Sequence, residues 1–160
     1  MNDMATSVLA AREITDTPAS FCFDDAHIFR SKLIDKFAEV ETWITRKFAT
    51  LDPDIIGKRP LGHKLTMVRK LAEQAEPKLK HPGKILKLLD RLQPYADLRA
   101  ELAHSTLTIF TTEQQLNVVL YQNANDAAHS TVKKSGRLTS GQMKHDLKRT
   151  EQICDQLKSL

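Results

Sequence analysis

Residues 29–48, FRSKLIDKFAEVETWITRKF, place large apolar side chains at Phe29, Leu33, Phe37, Val40, Ile44 and Phe48, at spacings of three and four. An α-helix turns about 100° per residue, so these six side chains fall on one stripe of a helix with a polar back. A helix with such a stripe must bury it, and the chain around this stretch supplies the surfaces that bury it. Upstream, the carboxylates of Asp24 and Asp25 suit a helix start, where free amides and the positive dipole end are exposed. Downstream, Leu51-Asp52-Pro53 predicts the end, because the residue before a proline is pushed out of the helical region.

The same period recurs beyond that break. Leu61, Leu65, Val68, Ala72 and Ala75 predict a second helix that stops near Pro77. After the breaker KHPGK (80–84), Ile85, Leu88, Leu89 and Leu92 predict a third. Pro94 stands inside this pattern, so residues 94–104 are expected as a separate segment at a slight angle, with Tyr95, Leu98 and Leu102 on its buried side. The texture then changes. TLTIFTT (106–112) and LNVVLYQ (116–122), rich in β-branched and aromatic residues around a polar EQQ, predict a β-hairpin. Residues 123–138 are small, polar and basic, as in an exposed loop. Thr139 and Gln142 form a capping-box pattern ahead of a last helix with Met143, Leu147, Thr150, Cys154 and Leu157 inward. The expected fold class is all-α: a bundle of four to five helices with a small β-hairpin before the last one. Residues 1–20 read as a flexible polar lead-in and residues 21–160 as a single domain.

Composition agrees with a soluble globular protein, 41% hydrophobic and 28% charged. No window reaches 18 uninterrupted apolar residues, so no transmembrane helix is expected, and the first 20 residues lack the basic-then-apolar order of a secretory signal. Two cysteines far apart in sequence, Cys22 and Cys154, suggest reduced thiols in a cytoplasmic protein rather than a disulfide framework. The net charge of +4 is unevenly spread. Residues 1–57 carry 6 basic against 10 acidic side chains, residues 58–91 carry 10 against 3, and the remainder 8 against 7. A basic middle third would steer a polyanion towards the protein, the plainer alternative being a solvated lysine-rich helix pair. Lys80, Lys84, Lys87 and Arg91 fall on one candidate RNA-binding face, and Lys144 and Lys148 on a second.

The chemistry-bearing residues cluster in DLRAELAHS (97–105), where Arg99 and His104 stand five positions apart among Ala96, Ala100 and Ala103. Extended as one helix, Arg99 and His104 point about 140° apart, with the three alanines between them. Small side chains permit close approach, so a two-fold partner laid across the strip would gather two arginines and two histidines around one cleft. Glu101 lies nearer His104 on the same wheel and could hold an imidazole or a partner's arginine. Read structurally instead, His104 interacts with the helix C-terminal dipole and Arg99 pairs with Asp97 or Tyr95. His63, His81, His129 and His145 lack the spacing of a metal site and read as solvated surface, so no metal or cofactor is expected. Trp43 sits at core spacing. There is no glycine-rich phosphate loop, serine elbow or cysteine redox motif.

LRAELAHS (98–105) resembles the R-x4-6-H motif of the HEPN superfamily, small all-α bundles found in prokaryotic toxin, defence and RNA-processing proteins. The resemblance covers most of the chain in outline: two long helices, a third bearing the motif near its C-terminal end, and a closing helix. It implies a metal-independent endoribonuclease that works as a homodimer with a shared site and is restrained, in toxin systems, by an antitoxin or other regulatory protein. Arg99 takes the place of the family arginine and His104 that of the histidine. The position after the arginine, commonly polar in the family, is Ala100 here. The superfamily also contains noncatalytic members that bind RNA or a protein partner.

Overall fold

A computed structural model describes residues 23–56, 59–111, 117–123 and 135–160. The stripe over 29–48 forms one 26-residue helix, α1 (Phe23–Phe48), and its six apolar side chains are all buried. It ends as Leu51-Asp52-Pro53 predicts. The amides of Leu51 and Asp52 donate to the Phe48 carbonyl, and the Asp52 carboxylate accepts from the Asp54 amide at 3.0 Å, an Asx turn leading into a short 3₁₀ turn at Pro53–Ile56.

Helix α2 (Leu61–Glu73) buries Leu61, Leu65, Val68 and Ala72 as its spacing requires, and also Lys64. Only 5% exposed, Lys64 reaches Glu41 of α1 at 2.8 Å, so its charge is paired where the two helices meet. The stripe does not extend to Ala75, which is exposed and adopts a left-handed backbone with φ 49°. Its amide bonds the Ala72 carbonyl, and that of Glu76 bonds the Leu71 carbonyl. This is the Schellman arrangement, in which glycine usually occupies the left-handed position. Replacing Ala75 by glycine removes the Cβ penalty there, so Ala75→Gly should raise the free energy of unfolding by about 0.5–1 kcal/mol in urea titration, although glycine normally destabilises.

Helix α3 (Pro82–Ala103) starts with its proline in the first turn and runs through Pro94 without a break. The separate segment expected over 94–104 is therefore corrected: it is the second half of one helix. Leu88, Leu89 and Leu92 before the proline and Tyr95 and Leu102 after it are buried in the same core, which favours continuing the helix over losing one backbone bond at Pro94.

The hairpin forms as β1 (Ser105–Thr111) and β2 (Asn117–Asn123), antiparallel with Leu107 opposite Tyr121 and Ile109 opposite Val119. A third strand, β3 (Ser135–Thr139), pairs antiparallel with β2 to give the order β1-β2-β3. That corrects the loop expected to reach residue 138; its residues 124–134 lie outside the described residues, as do the lead-in 1–20 and Cys22. SGRLT lacks a β-rich composition, and β2 supplies the hydrogen bonds that make it a strand. Helix α4 (Ser140–Lys158) opens on the expected capping box, with Gln142 N donating to Thr139 Oγ1 and Thr139 N donating to Gln142 Oε1. Met143, Thr150, Ile153, Cys154 and Leu157 are buried along it, with Leu147 half-buried beside them.

Among the described residues the architecture is mainly helical, four α-helices with a small three-stranded antiparallel sheet. Helix α1 packs against each of the other three, and Val119, Tyr121 and Leu138 of the sheet join the same core. Cys154 is fully buried and free; burial pushes its thiol up to about 12, so it stays protonated near neutral pH and acts as an inert core residue. No helix among the described residues is long and apolar enough to cross a membrane.

Candidate functional site

The C-terminal end of α3 is where three parts of the chain meet. Helix α3 delivers Arg99 and Glu101, its last turn hands over to β1 through His104 and Ser105, β2 brings Tyr121 from the sheet, and α1 brings Arg30. Hydrogen bonds tie them together. Ser105 Oγ donates to the Glu101 carbonyl, Arg30 Nη1 donates to the Ser105 carbonyl at 3.1 Å, and the Tyr121 hydroxyl donates to Glu101 Oε2 at 3.0 Å.

His104 does not continue the helix. It is the C-cap residue, with φ −113° and ψ 10°, and its amide bonds back to the carbonyls of Glu101 and Leu102. The wheel position expected for it is therefore superseded: α3 stops at Ala103, and the cap backbone sets the direction of the imidazole. The side chain is exposed and makes no hydrogen bond or ion pair among the described residues. Arg99 is half-buried. Its Nε is buried without a hydrogen-bond partner, and the guanidinium forms no ion pair among the described residues. Asp97, one partner considered for it, accepts instead from Gln93 at 2.9 Å.

The Glu101 carboxylate accepts from the Tyr121 hydroxyl, a contact within the chain that the helical wheel does not reveal. Burial, followed by the charge and hydrogen bond of Glu101, pushes the Tyr121 phenol well above the ordinary tyrosine range, so it is a neutral donor at working pH. The opposite strand makes room for this contact. Gly136 faces Tyr121 across β2 and β3, and a Cβ there would collide with the phenol. Gly136→Ala should drive the ring off Glu101 and lower stability by about 1–3 kcal/mol, seen as a shifted urea midpoint. An unchanged midpoint would show that the sheet absorbs a methyl group without moving Tyr121.

The alanine strip is only partly open: Ala100 is exposed, while Ala96 and Ala103 are half-buried, Ala96 against the core. The basic faces divide likewise. Lys84, Lys87 and Arg91 are exposed along the first half of α3, Lys80 is exposed in the turn before it, and Arg91 donates to Gln156 of α4 at 3.3 Å. Along the helix axis Lys84 stands about 22 Å and Arg91 about 12 Å from Arg99. Lys144 and Lys148 are exposed on the opening turns of α4, which follows directly from the sheet edge. His63 is exposed and bonded to Arg59, His81 is exposed ahead of α3, His145 is exposed beside Asp146, and His129 lies outside the described residues. Trp43 is half-buried, edge-on to Phe48 with Lys47 over its ring, in an open groove along α1 that contains none of the motif residues. Among the described residues, no group of three or more His, Cys, Asp or Glu side chains is arranged to hold a metal ion.

The spacing argument missed Arg30 and Tyr121. The only sequence signal for either was a polar residue at the edge of an apolar stripe and a tyrosine in a strand. No protein-family model matches the chain, and no curated protein and no solved structure is matched by it.

Proposed function

We propose that the protein is a HEPN-type metal-independent endoribonuclease that acts as a homodimer, in a toxin or defence setting where a regulatory protein restrains it. One observation carries the reading: among the described residues Arg99 is half-buried with an unpartnered Nε and no carboxylate, five positions before the exposed His104 at the same helix end. A half-buried guanidinium with an unsatisfied Nε costs stability, and a phosphodiester is a partner that would offset that cost.

The reaction needs two proton transfers. A histidine removes the proton of a ribose 2′-hydroxyl, whose oxygen attacks the adjacent phosphorus; the P–O2′ bond forms as the P–O5′ bond breaks, leaving a 2′,3′-cyclic phosphate. A second histidine protonates the departing O5′. Two copies of His104 divide these duties, since an imidazole can accept a proton or donate one. Arg99 stays charged and offers planar donors to the anionic phosphorane.

The test is cleavage of a mixed RNA by the purified chain in EDTA, beside His104→Ala. The expected result is cyclic phosphate ends from the unaltered chain and a loss of roughly 10²–10⁴-fold in the variant. Equal, absent cutting by two folded proteins would move the reading to its alternative, a noncatalytic HEPN-like helical dimer that binds RNA or a protein. The exposed Ala100, where the family commonly has a polar residue, favours that second reading.

A further inference from the structure

Arg30 is the unexpected member of the cluster. It comes from α1, 75 positions from the residue it touches, and its guanidinium is half-buried. Nη1 is bonded to the Ser105 carbonyl, immediately after His104, and Nη2 lies 3.1 Å from Nδ1 of His27, one turn earlier on α1. Both contacts are to side-chain or backbone groups that hold the fork in place, and Arg30 forms no ion pair with a carboxylate among the described residues. Glu101, a carboxylate in the last turns of α3, is bonded to Tyr121. Arg30 and Arg99 thus bring two uncompensated positive charges to the same end of the bundle. An anion between or beside them would supply the missing counter-charge.

We propose that Arg30, oriented by Ser105 and His27, is a second phosphate contact of this site and binds a phosphate of the RNA strand flanking the one held at Arg99. This rests on the endoribonuclease reading for the identity of the strand, but the contact itself concerns binding and not the bond-breaking step. The residue types suit the task. A guanidinium whose Nη atoms are pinned by fixed acceptors is preorganised, so its remaining N–H groups meet a phosphate at low entropic cost. The strand would then be gripped from α3 on one side and α1 on the other.

The experiment is equilibrium binding of a fluorescent 2′-O-methyl RNA of about ten nucleotides, which lacks the attacking hydroxyl, at several salt concentrations. Each single-strand phosphate contact contributes about 0.7 to the slope of log K against log salt. Arg30→Gln should weaken binding several-fold and lower that slope by about 0.7, whereas Arg30→Lys should keep the slope with a smaller loss of affinity. Unfolding midpoints are measured beside them. A merely structural role at Ser105 would shift the midpoint of both variants and leave the salt slope alone, which would overturn the proposal. Wild-type binding with the expected Arg30→Gln loss but no cleavage of ordinary RNA would sustain the contact while the endoribonuclease reading fails. Cleavage and binding by Arg30→Gln at wild-type levels would remove the contact while that reading stands. A wild-type chain that binds no RNA overturns both.

Discussion

On the endoribonuclease reading, Arg99→Met is expected to lower RNA cleavage by roughly 10²–10³-fold and at the same time to raise the unfolding free energy by about 1 kcal/mol. The two changes have one cause. The buried Nε of Arg99 has no acceptor, and the guanidinium has no carboxylate among the described residues, so folding strips water from a polar group without replacing it. Methionine keeps an unbranched stem that packs like that of arginine while removing the unsatisfied group. On the proposed reading, stability is traded for a charge that would hold an anion. Single-turnover cleavage and urea unfolding on the same preparation read both halves. A variant that is less stable and cleaves normally would mean that Arg99 is a structural residue, and the endoribonuclease reading would lose its principal support.

Phe37→Ala is expected to cost about 3–5 kcal/mol, the largest stability loss of any single change discussed. Phe37 is fully buried midway along α1, the helix that packs against all three others, so truncation leaves a cavity facing several elements at once. Domains of this kind have a total of about 5–15 kcal/mol, which puts the variant close to its folding threshold at physiological temperature. Urea unfolding followed by far-ultraviolet circular dichroism gives the difference directly. A loss below about 1 kcal/mol would indicate that the neighbouring helices collapse into the space. The variant also separates the two kinds of effect: it should impair cleavage only in proportion to the unfolded fraction, unlike substitutions at Arg99 or His104.

The candidate site was half legible in the chain. Arg99 and His104 stand out because five positions of one helical segment bring them to one end of it, a local relation. The cap geometry of His104 was not legible, since extending the wheel assumes that the helix continues, and α3 stops one residue earlier. Glu101 was noticed without its neighbour inside the fold. Its partner is Tyr121, on a strand 20 positions away, which only the register of β1 on β2 brings into reach. Arg30 carries no mark in the sequence that separates it from the other charged residues of α1.

The sequence by itself determined the stripe of α1, the apolar sides of α2 and α3, the hairpin and the capping box of α4. Each of these depends on residues within about four positions of one another, or on two strands joined by a short connection. Tertiary structure alone decided the rest. SGRLT became a strand because β2 had an unpaired edge, and α3 runs through Pro94 because the leucines before it and Tyr95 and Leu102 after it share one core. It also set Lys64 on Glu41, Tyr121 over Gly136 and Arg30 on the carbonyl of Ser105. Periodicity says which side of an element is buried, but the partner it meets there is chosen by the packing of elements distant in sequence, where backbone hydrogen bonds and desolvated charges must be satisfied together.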